Sequence, residues 1–151
     1  MRVALAGLVL LGLAATGCES EEEKAAEHAL ENAADRTTCL ADASPAATPY
    51  PDGAPTDWPW PPSTVVYHAE DRGSDGIILT ATTGTPFDDV LAFLNGPVST
   101  AGYVVTSAET EEHDAEAGWS GNGFRGRWAI RESATCPGET VIQVLSTPNR
   151  H

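Results

Sequence analysis

The sequence predicts an α+β fold, a small antiparallel sheet of about five strands in the order β-β-α-β-β-β with one helix on one face. Three observations predict it. Beyond residue 62, short runs of β-branched and aromatic residues recur between turn-forming Gly, Asp and Pro residues. One apolar set at helical spacing, Phe87, Val90, Leu91, Leu94 and Val98, falls between the second and third runs. Phe124–Glu132 alternates apolar residues with arginines, the pattern of a strand with one buried face.

Thr64–Ala69 is the first expected strand and Gly76–Thr83 the second, joined as a hairpin by the polar turn Glu70–Asp75. The helix then opens at Thr85-Pro86. Thr85 suits the N-cap, Pro86 suits the first helical position, and Asp88 and Asp89 complement the dipole. Gly96-Pro97 predicts a kink or break, and Gly102 a C-terminal cap. Tyr103–Ala108 reads as the third strand, Glu109–Ala117 as an acidic loop and Trp119–Gly123 as a Gly-rich turn. Phe124–Glu132 is the fourth strand and Thr140–Ser146 the fifth. The first or the fifth is expected to be an exposed edge, which invites pairing.

At 151 residues the chain has room for one modest domain and a tail. Its 22 acidic residues against 8 basic ones give a formal charge of −14. Such a surface repels phosphates, which argues against nucleic acid as a partner. The expected organisation is an export segment over 1–17, a tether over 18–62, the α+β domain over 63–147 and a loose end over 148–151.

Met1-Arg2 is followed by an apolar run, Val3–Thr16, too short to span a bilayer but suited to a signal peptide. The run ends in Ala15-Thr16-Gly17-Cys18. Here the chain resembles a bacterial lipoprotein precursor, whose lipobox places small residues before a cysteine. Gly17, Cys18 and Thr16 fit that pattern, while Ala15 stands where leucine is usual. The resemblance implies cleavage before Cys18 and attachment of fatty acyl chains, palmitate among them, to that residue. It also implies a domain held on the extracytoplasmic side of a membrane of the bacterial cell envelope. Two or more acyl chains give stable anchoring.

With Cys18 lipidated, Cys39 and Cys136 form an even pair in an exported chain and are expected to be disulfide-bonded. No CxxC spacing favours a redox or metal site instead. Glu19–Arg36, rich in Ala and Glu, predicts a weakly packed helix, about 25 Å long if formed, or a frayed tether, with a thin stripe of Ala25, Ala29, Leu30 and Ala33. The Pro-dense segment 41–62 reads as an extended linker. Its Trp58 and Trp60 are either a carbohydrate or peptide platform or, as their apolar area favours, a cover packed on the domain edge.

No nucleophile elbow, metalloprotease helix, phosphate loop or EF-hand pattern occurs. No catalytic residue, metal ligand or cofactor is therefore assigned. His113, within Glu111–Glu116, is read as part of a solvated acidic loop rather than a cation site. His68 is read as a surface or half-buried histidine on the same strand face as Val66.

The fourth strand carries the candidate site. Phe124, Gly126, Trp128 and Ile130 share one face, and Arg125, Arg127, Ala129 and Arg131 the other. A helix over the aromatic face leaves the arginines on the open face. They either take a carboxylate-bearing ligand, with Trp119 as a stacking wall, or pair with the protein's own acids. Phe93-Leu94, Ala101-Gly102-Tyr103 and the Gly118-Trp119-Ser120-Gly121 stretch make the domain similar to small single-domain bacterial envelope lipoproteins. That resemblance carries no catalytic residues with it. The expected function is a binding or interaction module for an envelope protein, peptide or cell-wall partner. The alternative is a small envelope hydrolase without a recognisable motif.

Overall fold

The computed structural model describes residues 38–149. The expected export segment, Cys18 and the expected Glu19–Arg36 helix lie outside the described residues. Six strands form one antiparallel sheet: β1 (Val65–Asp71), β2 (Ile77–Thr83), β3 (Tyr103–Thr110), β4 (Asp114–Gly121), β5 (Phe124–Glu132) and β6 (Thr140–Pro148). Their spatial order is β1-β2-β6-β5-β4-β3. The last strand therefore lies in the middle of the sheet, and the edges are β1, one of the two strands expected there, and β3. Between β2 and β3 run α1 (Phe87–Asn95) and α2 (Pro97–Thr100), broken at Gly96 as the Gly-Pro pair predicts. The fold is a small-sheet α+β fold with its helix on one face.

The sixth strand comes from the segment expected to be a loop and a turn. Asp114–Gly121 alternates acidic or small residues with Ala115, Ala117 and Trp119, and only the second set is buried. Trp119 pairs with Gly126, and a Cβ at that glycine would collide with the Leu145 carbonyl oxygen and crowd the Trp119 indole. Asn122-Gly123 closes the β4–β5 hairpin with positive φ at both residues (48° and 84°). Two left-handed residues match the right-handed twist of the strands they join, and Asn-Gly tolerates them best.

Two local expectations are corrected. The helix begins after Pro86, whose extended ψ of 152° makes it the cap position. The Thr85 hydroxyl instead donates to the Pro62 carbonyl (3.2 Å). In β1 the register shifts between Val66, opposite Ala81, and His68, opposite Thr80. The extra residue, Tyr67, breaks the alternation. It turns His68 to the face opposite Val66.

The inner face of the sheet carries the core. Leu79, Ile142, Val144, Trp128 and Ile130 are buried there beneath Phe87, Val90, Leu94 and Val98 of the helices. The Pro-rich segment joins the same core: Ala54 and Trp58 are 6% and 3% exposed, and Tyr50 and Trp60 pack against the core cluster. Cys39 is bonded to Cys136, with Cα atoms 5.6 Å apart. The Leu40 amide donates to the Glu139 carboxylate (2.7 Å), and the Ala46 amide donates to the Val66 carbonyl (2.9 Å). Residues 38–62 thus belong to the folded unit, and the boundary expected at 63 does not divide it.

Candidate functional site

Alternation along β5 sends Arg125, Arg127 and Arg131 to the outer face of the sheet, away from the helices. The β4 alternation sends Asp114 and Glu116 to the same face. Asp114 stands directly opposite Arg131, and Glu116 is diagonal to Arg127. Arg131 donates to Asp114 (3.1 Å) with both side chains about half exposed, whereas Arg127 donates to Glu116 (2.6 Å) with only 16% and 28% of the side chains exposed. The half-buried pair is screened less by solvent and holds its geometry better. Two of the three arginines thus pair with the protein's own acids. Arg125 is exposed and has no acidic partner among the described residues.

Trp119 takes no part in this face. It lies on the inner face, 2% exposed, with its ring centroid 4.6 Å from that of Trp58 and 5.4 Å from that of Tyr103. The Gly-rich stretch that holds it is a strand, and strand alternation turns it inward, so the stacking wall expected beside the arginines is absent.

Sequence reasoning missed the centre of the outer face. Thr80 of β2 lies beside Gln143 of β6, and Gln143 beside Ala129 of β5. Thr80 is 1% exposed and Gln143 4%, yet Thr80 Oγ1 and Gln143 Nε2 have no hydrogen-bond partner among the described residues. A cleft of about 180 Å³ opens at one end of this row, lined by Gln143, Val141, Arg131, Asp114, Glu132 and Thr135. Chemically, among the described residues, the face offers one guanidinium without a carboxylate partner, two carboxylate-bound ones and two buried amide or hydroxyl groups. That set can bind a carboxylate or amide, since Arg forks carboxylates and Gln and Thr donate and accept.

His113 lies in the β3–β4 turn, its Nδ1 2.9 Å from Glu132 and its Nε2 3.7 Å from Glu112, an exposed arrangement that pairs when the imidazole is protonated. Cys39, Cys136 and Glu139 cluster, but the sulfurs are bonded to each other. The Glu139 carboxylate accepts from the Leu40 amide and the Thr82 hydroxyl. It clasps the disulfide to the sheet.

A second polar feature fixes the Pro-rich segment. Asp57 accepts from the Tyr103 hydroxyl (2.5 Å) and from Asn122 Nδ2 (2.7 Å), which also donates to the Ala101 carbonyl. Burial, followed by the Asp57 hydrogen bond, pushes the Tyr103 pKa up to about 12 from 10.0. The protonated phenol is therefore favoured by folding. Its stabilisation is fully present below pH 10 and is lost as pH rises through the folded value near 12. Unfolding at pH 9 and pH 11 is expected to show a fall in stability that Tyr103→Phe largely removes. An equal fall in both proteins would place the alkaline sensitivity elsewhere.

No protein-family model, curated protein or solved structure matches this chain.

Proposed function

We propose that this chain is a membrane-anchored extracytoplasmic lipoprotein of a bacterial cell envelope, whose α+β domain is a binding or interaction module. The anchor reading rests on the short basic start, the apolar run Val3–Thr16 and the small residues before Cys18. The Cys39–Cys136 bond is compatible with it, because disulfides persist in exported proteins. Among the described residues no helix is long and apolar enough to cross a membrane.

One observation carries the binding reading: the outer sheet face joins the arginines of β5 to two buried polar groups that the fold leaves unbonded. Each such group costs about 1–3 kcal/mol when it lacks a partner. A bound group that supplied the missing bonds would recover that. The exposed guanidinium of Arg125 suits a carboxylate on such a partner.

Two measurements test the two parts. Cys18→Ala is expected to lose fatty-acid labelling and to move from the membrane fraction to the soluble one. A labelled, membrane-bound variant would overturn the anchor. Cross-linked capture from the native envelope, wild type beside Arg125→Ala, tests the face. A specific partner lost in the variant is expected. Identical captures would remove the arginine from recognition.

A further inference from the structure

The two edges of the sheet differ. Along β1 the chain supplies its own partners: the Ala46 amide donates to the Val66 carbonyl (2.9 Å), and Tyr67 is hydrogen-bonded to the backbone of Thr38. Along β3, no strand among the described residues pairs on the side away from β4. Residues 106–110 are exposed there, and Val104, at 62%, is the one large hydrophobic exposed among the described residues. An open edge presents a row of unpaired backbone amides and carbonyls, which lysine or proline commonly blunts. β3 has neither residue. Its one guard is the bulge between Val105 and Ala108, seated over Gly118, where a Cβ would collide with Thr106 Oγ1.

The side-chain rows define what a further strand must carry. Val104 stands opposite Ser120 and Glu109 opposite Glu116, both on the outer face. Arg127 neutralises Glu116. Glu109 is exposed, faces that like charge, and has no cation of its own among the described residues. Opposite charges placed directly across a strand pair stabilise it, and like charges do the reverse. A strand on the free side of β3 would set one residue beside Glu109 and another beside Val104. Because of the bulge, these rows lie five positions apart on β3 but four apart on β4, from Glu116 to Ser120. A regular partner strand therefore needs a basic and an apolar residue four positions apart on one face.

We propose that the free edge of β3 takes an extended basic segment of a partner protein as a further strand of the sheet. The formal charge of −14 attracts such a segment from a distance. Backbone hydrogen bonds then supply the affinity, and Glu109 and Val104 select the side chains. A second copy of this chain is a poorer occupant, because its β3 offers no cation to Glu109 and two such charges repel. β4 separates this edge from the arginines of β5, so the binding is additional to that proposed above.

The test titrates the isotope-labelled full-length chain, followed by NMR, with a short threonine-rich peptide. The peptide carries lysine and, four residues later, valine, the order that suits an antiparallel partner. Shifts centred on the β3 amides, with slowed hydrogen exchange there, are expected by millimolar peptide. Two N-methylated forms, blocked on alternate amides, then separate strand addition from attraction by charge. Alternate amides of a strand point to opposite edges, so one form should bind and the other should not. Glu109→Lys, at an exposed position, should weaken binding about tenfold. Equal behaviour of the two N-methylated forms, shifts centred outside β3, no binding, or undiminished binding by Glu109→Lys would each overturn the proposal. So would concentration-dependent shifts of β3 without peptide, which would give the edge to a second copy.

Discussion

Replacing both Cys39 and Cys136 with alanine is expected to destabilise the domain by about 4–5 kcal/mol, the chain-entropy value for so long a loop. The bridge spans 97 residues of sequence and closes the Pro-rich segment onto the β5–β6 connection. Its loss acts on the unfolded chain, which regains the freedom the bridge denied it. Native contacts of the segment should survive, because the Ala46 amide, Asp57 and Trp58 hold it independently. A domain of this size has about 5–15 kcal/mol in total, so the variant should stand close to its unfolding threshold at 37 °C. Urea titration of wild type and variant measures the change. A fall below about 1 kcal/mol would mean that the unfolded chain keeps these ends together without the bridge. The prediction also bears on the export reading, since a protein made where thiols stay reduced would lack this contribution.

How far the sequence reveals the fold depends on how much of each element's stability is local. The β1–β2 hairpin, the helix face and its break at Gly96-Pro97 are legible, because β-branched runs, a helical period and a Gly-Pro pair act on the backbone directly. β4 is not. Asp114, Ala115, Glu116, Ala117 and Gly118 have poor strand preference, and what makes them a strand is pairing with Arg127, Trp128 and Arg131 across the ladder. The Asn122-Gly123 pair was a readable signal for that hairpin. The Tyr67 bulge has no sequence mark, and it alone decides the side on which His68 emerges.

The candidate site divides along the same line. The arginine row is visible in the alternation of β5, whereas its acidic partners depend on a neighbouring strand. Thr80 and Gln143 read as ordinary polar residues of two strands 63 positions apart. Only the register that puts β6 beside β2 joins them. Trp119 lies on the inner face because its Gly-rich stretch is a strand, whereas a Gly-rich sequence reads as a turn, and a turn does not fix which face a side chain occupies.

Replacing Trp58 with alanine is expected to cost about 3 kcal/mol, the second large effect. The indole is 3% exposed and lies against Tyr103 and Trp119 at centroid distances of 5.0 and 4.6 Å. Truncating a buried Trp typically costs about 3–5 kcal/mol. Here a second term works the other way. Trp58 Nε1 is buried without an acceptor, a penalty of about 1–3 kcal/mol that alanine relieves. The expected loss therefore sits at the lower end of that range. Trp58→Phe separates the two terms, because it keeps a ring against Tyr103 and Trp119 and removes the unpaired N–H. It should cost clearly less than Trp58→Ala, because most of the ring volume stays and the cavity left is smaller. If both variants are equally destabilised, ring packing is not what holds the Pro-rich segment, and the Asp57 bridge to Tyr103 and Asn122 becomes the principal tie. If neither is, the segment is held by the disulfide and its hydrogen bonds rather than by the indole. Denaturant midpoints of the two variants decide among these, with Asp57→Ala, expected at about 1–2 kcal/mol, as the comparison.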